Sequence, residues 1–179
     1  TPDHLNRHHT MANYIAAKES IVKNQTRDDL CVLNYNDEVL RAFGKTLEQK
    51  VVLFSSTETL DAGLYLQENE ILWARNGKTE HIISVEELNI LGAHNYENVM
   101  AAVALCDGMG VPMETIREGL RDFHAVEHRI EFVCKKNDIA FYNDSKGTNP
   151  DAAIKGICAM NRRTVLIGGG YDKESVYDE

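Results

Sequence analysis

The sequence predicts an α/β protein in two parts: an α/β domain with a small antiparallel meander, then the opening of a second α/β domain. Three observations predict it. Short apolar runs of strand length, such as Val51-Val-Leu-Phe54, are separated by longer stretches with apolar residues at helical spacing. Three β-rich runs between residues 63 and 84 succeed one another with a hairpin signal, Asn76-Gly77, between the last two. From His128 onward the order reads strand, strand, helix, strand, loop, which restarts an α/β pattern and places a boundary near residues 124–127.

Met11, Tyr14, Ile15, Lys18, Ile21 and Val22 recur at helical spacing, with Thr10 placed to cap a helix from Met11 to about Asn24. Asp29-Leu-Cys-Val-Leu-Asn34 reads as a strand, residues 38–44 as a short helix, and Val51 to Phe54 as the next strand. The meander follows as Gly63-Leu-Tyr-Leu-Gln67, Ile71-Leu-Trp-Ala-Arg75 and His81-Ile-Ile-Ser84. Asn95 to Gly108 is a helix with Val99, Ala102, Val103 and Cys106 on one face, stopped by Gly110-Val-Pro112. Met113 to Phe123 is a second amphipathic helix. Ile130–Val133 and Ile139–Tyr142 form a hairpin around Lys136-Asn137-Asp138. Asn149-Pro150-Asp151 starts a helix to about Met160: Asn caps, Pro suits the first helical position, and an acid suits the first turn. Thr164-Val-Leu-Ile167 then reads as a buried strand running into Gly168-Gly-Gly170.

Composition narrows the functional classes. A net charge of -9 and a pI near 5.3 argue against a nucleic-acid or anionic-membrane surface, because both need dense Lys and Arg. No apolar run is long enough to span a bilayer, and no signal-peptide pattern opens the sequence. Cys31, Cys106, Cys134 and Cys158 lack CxxC or zinc-like spacing. The first two and Cys158 sit in apolar contexts, so buried reduced thiols and a cytoplasmic setting are expected. The start at Thr1 without methionine, and the end at Glu179 just after a Gly-rich loop, read as a piece of a longer protein.

The densest chemistry lies in Phe141-Tyr-Asn-Asp144-Ser-Lys146-Gly-Thr148-Asn-Pro150, where a strand read as buried stops in charge and hydroxyls before a helix N-terminus. Open α/β sheets bind ligands at such strand ends. Asp3-His4-Leu-Asn-Arg7-His8-His9 could ligate a metal, but its spacing matches no strong zinc signature, and exposed loop histidines are the plainer reading. Lys18 is either a snorkelling stem or an amine whose pKa falls on burial. Asn95 either caps its helix or, with Asn98 three residues on, points an amide into a pocket; carboxamides suit an adenine edge. Arg129 either pairs with Glu127 or Glu131 at the surface or reaches a phosphate. Gly168-Gly-Gly170-Tyr-Asp-Lys173 is a strand-end loop without the GxxxxGK[ST] pattern, which occurs nowhere in these 179 residues.

Taken in order, Asp3-His4-Leu-Asn-Arg7, Asn13-Tyr-Ile-Ala-Ala-Lys18, Gly92-Ala-His-Asn-Tyr-Glu-Asn98, His128-Arg-Ile-Glu131, Asn143-Asp-Ser-Lys-Gly-Thr-Asn149 and Gly169-Gly170-Tyr-Asp-Lys173 resemble the Mur ligases, ATP-dependent amide-forming enzymes of peptidoglycan precursor synthesis. The His-Arg-x-Glu and Asn-Asp-Ser-Lys-x-Thr-Asn pair resembles the branch of that family that adds D-glutamate. The resemblance implies a central ATP-binding domain over residues 1–125, without its phosphate loop, and the first part of a C-terminal, Rossmann-like ligase domain over 126–179. It implies ATP and Mg2+ as cofactors, with UDP-N-acetylmuramoyl-L-alanine and D-glutamate as the other small-molecule ligands, and no nucleic-acid or membrane partner. It also implies a monomeric parent enzyme in the bacterial cytoplasm.

Residue by residue, the resemblance makes His4 a magnesium ligand and Lys18 the lysine that carries a CO₂-derived carbamate for that metal. Asn95 and Asn98 become adenine-side amides, and Arg129 and Asp144 nucleotide contacts, the latter suited to ribose hydroxyls. Lys146, Thr148 and Lys173 fall near the transferred phosphate or the D-glutamate carboxylate, with Lys146 and Lys18 as the catalytic candidates. Gly147 stands where the family more often has alanine. Two other functions fit less of the pattern: a folylpolyglutamate synthetase-like glutamate ligase, which the Asn-Asp-Ser-Lys-x-Thr-Asn segment disfavours, and a non-catalytic binding or assembly module of the same fold. With the phosphate loop absent, the piece by itself is expected to be inactive and prone to self-association.

Overall fold

The computed structural model describes residues 5–170. Helix α1 (Leu5–His8) leads into α2 (Met11–Glu19), where the Thr10 side chain accepts from the Asn13 amide at 3.2 Å, the cap read from the sequence. A short 3-10 turn, Ser20–Val22, ends that stretch before residue 24. Next come β1 (Leu30–Asn34), α3 (Glu38–Gly44) and β2 (Lys50–Ser55). The meander is β3 (Gly63–Gln67), β4 (Glu70–Arg75) and β5 (Lys78–Ser84). Two helices follow, α4 (Ala93–Gly108) and α5 (Met113–Asp122). The last elements are β6 (Glu131–Lys136), β7 (Ile139–Asn143) and α6 (Pro150–Cys158).

The meander is no separate layer. One mixed sheet runs β1-β2-β3-β4-β5, parallel across β1-β2-β3 and antiparallel from β3 to β5. The direction reverses at Glu68 and Asn69, left-handed at φ 50° and 66°, while Gly63 lets β3 lie close against β2. Its φ of 134° suits glycine, and a Cβ there would lie 2.4 Å from the Leu53 carbonyl oxygen. Asn76 and Gly77, at φ 54° and 69°, form the left-handed pair that a two-residue hairpin needs.

The core gathers between this sheet and α4. Leu64, Ile71, Ile82 and Ile83 from the strands meet Met100 and Val103 from the helix, all essentially inaccessible. At roughly 1.5–3 kcal/mol per buried aliphatic side chain, such contacts are the main stabilising term of the region. The buried face of α4 is Val99, Met100, Val103 and Ala104, so Ala102, expected inside, is exposed. The spacing was right and the face was rotated by about one residue, because Met100 and Ala104 fill the gap over the sheet.

Arginines bind α5 to the edge of the sheet. Arg117 donates to the carbonyls of Ile82 at 2.9 Å and His81 at 2.7 Å and pairs with Glu80 at 3.1 Å, while Arg121 pairs with Glu87 at 2.7 Å. Arg75 lies over the Trp73 ring at 4.3 Å and bridges Glu80 and Asp107.

Beyond α5 the packing changes character. β6 and β7 pair only with each other, in a hairpin whose turn residues Asn137 and Asp138 have φ of 51° and 61°. Phe132 and Tyr142 meet edge to face at 5.7 Å, yet both remain largely exposed. The strand leading into Asn143 was expected to be buried and is not, since no layer covers it among the described residues. Thr164–Ile167 likewise forms no strand there, and Val165 and Ile167 are about nine-tenths exposed at 89% and 93%. An apolar run without a neighbouring strand has no partner for its backbone groups. Cys158 is exposed rather than buried, whereas Cys31 is buried and Cys106 half-buried; all four cysteines are free thiols. Burial pushes the Cys31 thiol pKa up. No helix is long and apolar enough to cross a membrane among the described residues.

Candidate functional site

The tightest local structure is a turn at His128-Arg129-Ile130, stitched to the strand exit at Asn143–Lys146. His128 and Ile130 lie in the left-handed region at φ 70° and 46°. For a β-branched residue this is an outlier, costing about 1–3 kcal/mol, and it persists only when its surroundings over-determine it. They do so here. The Ile130 amide donates to Asp144 Oδ1 at 3.1 Å, and the Lys146 amide donates to the His128 carbonyl at 3.0 Å. The Asn143 side chain lies 2.8 Å from His128 Nδ1 and donates to Glu131 Oε2, which also accepts from the His128 amide at 2.9 Å. Ile130 itself is buried, which anchors the turn from below.

This stitching presents Arg129 outward between two residues of reversed backbone hand. Its neighbours Glu127 and Glu131 both lie 3.6 Å from the His128 ring, so the surface pairing weighed for Arg129 goes to the histidine instead. Its guanidinium is exposed, a planar and permanently charged group able to pair with an anion.

Asp144 has one oxygen committed to Ile130. The other lies where it would be 2.4 Å from a Cβ on Gly156 and 3.0 Å from one on Gly147, so two bare glycines let the carboxylate, the loop and α6 converge. An alanine at 147 would press on that carboxylate without meeting backbone closer than 3.2 Å. Lys146 and Thr148 are exposed on the same loop, and Asn149 caps α6 through the Ala152 amide at 2.8 Å.

Across from this knot stands the first turn of α4. Its cap is Gly92, not Asn95; the Asn95 side-chain amide donates back to the Leu91 carbonyl at 2.7 Å. That bond fixes the carboxamide and leaves Oδ1 as the free acceptor. Asn98 is exposed one turn further along. Glu97, between them, accepts from Ser56 Oγ at 2.6 Å, tying the helix to the strand end after β2. Ser55 is fully buried and accepts from the amides of Thr57 and Glu58, which shapes that strand end.

His94 joins the two halves. It is half-buried, and burial holds its pKa below the ordinary histidine value, with Lys155 and Arg129 pushing the same way and Asp144 and Glu97 opposing. The sequence placed His94 inside a motif but gave it no role, because only the fold brings α6 against it. The signal available was its place between Gly92 and the asparagine pair.

Arg129, Asp144, Lys146 and Thr148 thus share one turn-and-loop unit, Asn95 and Asn98 lie on the first turns of α4, and His94 is the residue of α4 within electrostatic reach of Asp144 and Arg129. Lys18 does not join them: it is exposed on α2, its Nζ 5.5 Å from the Tyr14 ring centroid, and no residue of α2 is buried. The reading in which Lys18 is buried does not hold here, since α2 packs chiefly on α1 and the following turn. Among the described residues no three His, Cys, Asp or Glu side chains gather as a metal site. His4, with Asp3, and Lys173 lie outside the described residues.

Known proteins resemble this chain along its length. The family profile of the Mur ligase middle domain matches residues 1–106. Over 179 residues the chain is 54% identical to the UDP-N-acetylmuramoylalanine–D-glutamate ligase of Lachnoclostridium phytofermentans, covering 100% of this chain and 39% of that protein. It is 49% identical over 178 residues to the ligase of the same name from Lachnospira eligens, covering 99% of this chain and 40% of that one. For the Clostridioides difficile ligase of that name the figures are 44% identity, with 100% and 40% covered. The chain thus spans about two-fifths of the length of these relatives. Among solved structures, MurF from Acinetobacter baumannii superposes with a TM-score of 0.66 at 19% identity, over 90% of this chain and 36% of that one. MurC from Thermotoga maritima gives 0.63 at 24% identity, over 88% and 35%. At those identities the superpositions speak for the α/β fold alone.

Proposed function

The chain belongs to the Mur ligase family, and we propose that its parent protein is an ATP-dependent ligase joining D-glutamate to UDP-N-acetylmuramoyl-L-alanine. The observation that carries the reading is the stitched turn: the His-Arg-Ile-Glu and Asn-Asp-Ser-Lys segments hold each other in one strained, hydrogen-bonded unit, with Arg129 and Asp144 within electrostatic reach of His94 at the start of α4. Identity of 44–54% along the whole chain to ligases bearing that name supports it. We place the domain boundary at residue 125, with ATP taken between residues 1–125 and residues 126–179.

The reaction has two steps. A carboxylate oxygen of the muramoyl-alanine acceptor attacks the γ-phosphorus of ATP, the bond to the β-phosphate oxygen breaks, and an acyl phosphate and ADP result. The amine of D-glutamate then attacks the acyl carbon, loses a proton, and expels inorganic phosphate as the amide forms. Such chemistry depends on positioning and on neutralising charge. Arg129 meets phosphate oxygens from its rigid turn. The free Oδ1 of Asn95 accepts from the adenine amino group, and Asn98 adds a second amide. Asp144 is the carboxylate assigned to the ribose hydroxyls. Lys146, Thr148 and Lys173 hold the transferred phosphate or the D-glutamate carboxylate.

Magnesium would neutralise charge on the phosphates, and His4 with a carbamate on Lys18 is the ligand pair proposed for the parent. The described residues alone do not make that site, since Lys18 stands apart on α2 and no cluster of three metal-binding side chains forms among them. The parent acts as a monomer on small molecules in the bacterial cytoplasm. The GxxxxGK[ST] phosphate loop is absent from these 179 residues, so the chain alone has no D-glutamate-dependent ATP hydrolysis and self-associates through its uncovered apolar surface.

The test uses the purified parent protein with ATP, D-glutamate and either UDP-N-acetylmuramoyl-L-alanine or a folate. Phosphate release that requires the muramoyl acceptor and yields the glutamyl product is expected. Turnover with the folate instead would move the protein to the folylpolyglutamate class. No turnover with either, together with unimpaired ligand binding in Lys18→Ala and Lys173→Ala variants, would make it a binding module.

A further inference from the structure

Gly92 is buried, with φ 97° and ψ 143°, a backbone conformation that residues with a Cβ scarcely adopt. The space around it is closed as well. A Cβ at this position would lie 2.7 Å from the Ala159 Cβ and 2.9 Å from His94 Cε1. Ala159 is the residue that ends α6, its amide donating to the Lys155 carbonyl at 3.0 Å. Gly92, in turn, caps α4 and accepts from the Asn95 amide at 2.9 Å. The C-terminal end of one helix therefore rests on the N-terminal cap of another, with the His94 ring closing one side of the contact.

We propose that Gly92 is a positioning residue: its bare Cα and the His94 ring form a seat for the end of α6. The seat sets where Arg129, Asp144, Lys146 and Thr148 stand over Asn95 and Asn98. This rests on the ligase reading to the extent that those residues hold ATP between the two parts; the seat itself rests on the contact. α6 is joined to the Asp144 loop through the Gly156 approach, so a shift of Ala159 is transmitted to the carboxylate and to the strained turn it anchors. No other described glycine caps a helix against a residue of a different helix. The groups around the His94 ring come from every element at the junction: Glu97 on α4, Arg129 before β6, Asp144 after β7 and Lys155 on α6. Burial of the ring favours its neutral form, with the two cations acting in the same direction and the two carboxylates opposing them.

The experiment places the contact under steric pressure in the parent protein. Ala159→Leu, at a half-exposed helix end, leaves the fold intact by thermal melting. It is expected to speed amide exchange together in residues 90–95 and 156–160 and to raise the ATP KM about tenfold, since small misplacements of positioning groups are amplified in this way. Gly92→Ala is expected to do the same more severely. Ala159→Gly in the Gly92→Ala background recovers part of the loss, because it removes one of the two colliding methyl groups and the pair is coupled. Wild-type exchange and an unchanged ATP KM in Ala159→Leu would overturn the proposal, as would Gly92→Ala and Ala159→Gly effects that simply add. If the unmutated parent shows no ligation, the ligase reading fails, and the exchange measurement still decides the seat.

Discussion

The five-stranded sheet with α4 and the β6–β7–α6 segment are ordered by different forces. In the first, Leu64, Ile71, Ile83, Met100 and Val103 are excluded from water, and the strand register follows from which side chains must be inside. In the second, Phe132, Val133 and Ile139 are 56%, 57% and 60% exposed, and the geometry rests on hydrogen bonds among His128, Ile130, Asn143, Asp144 and Lys146. Burial tolerates variation in detail as long as volume is filled. Directed bonds fix the local backbone, and here they fix the turn that carries Arg129. The region weaker in packing is thus the one with the more exacting local geometry.

The contrast can be tested by removing one element from each side, most simply in the parent protein followed by denaturant unfolding. Met100→Ala should have the largest effect, about 2–5 kcal/mol, because the helix–sheet interface cannot collapse around the lost volume. An effect below about 1 kcal/mol would mean that α4 is not packed as described. Asp144→Ala should cost less, about 1–3 kcal/mol, by leaving the Ile130 amide unpaired and releasing the strained turn. It should show as faster amide exchange confined to residues 128–131 and 143–147; exchange that also rises in β4 and β5 would erase the distinction between the two regions. Gly77→Ala should cost about 1 kcal/mol, since alanine at φ 69° is strained while the space around it is open. Exchanging Glu48 for Gln, which breaks the exposed Arg27 pair, should leave the melting curve unchanged.

How the sequence foretold these regions follows the same division. Thr10, Asn76-Gly77, Asn137-Asp138 and Asn149-Pro150 act through local backbone chemistry, and each cap or turn forms where its residues predict. Apolar runs were less informative, because Thr164–Ile167 and the helical face of α2 have the right pattern but no partner surface among the described residues. In α4 the pattern gave the helix but not the face, which depends on the sheet beneath it. For the site, the motif residues around Arg129 and Asp144 could be read from residue type and order. The left-handed Ile130 and the approach of His94 to Lys155 could not, since one depends on backbone hand and the other on a contact distant in sequence; the return bond from Asn95 to Leu91 is local, but it forms only because Gly92 and not Asn95 caps the helix.

His94 supplies the pH arm of the comparison. Burial, with Lys155 and Arg129 adding to it, lowers its pKa in this arrangement, so the arrangement favours the neutral ring. Docking is then strongest above the ordinary histidine pKa, weakens as the pH falls below it, and levels off below the depressed value. Amide exchange at residues 90–95 should rise across that acidic window in the wild type. The rise should vanish in His94→Gln, whereas a rise that persists there would assign the effect to another group.

The most direct test of the central claim, that the stitched turn receives the nucleotide, is amide exchange on the parent protein with and without a non-hydrolysable ATP analogue. The account predicts slower exchange at residues 129–131 and 144–148 on binding, together with residues 93–98 at the start of α4, while β4 and β5 stay as they were. Saturable binding of the analogue with no added protection at residues 129–131 and 144–148 would contradict it.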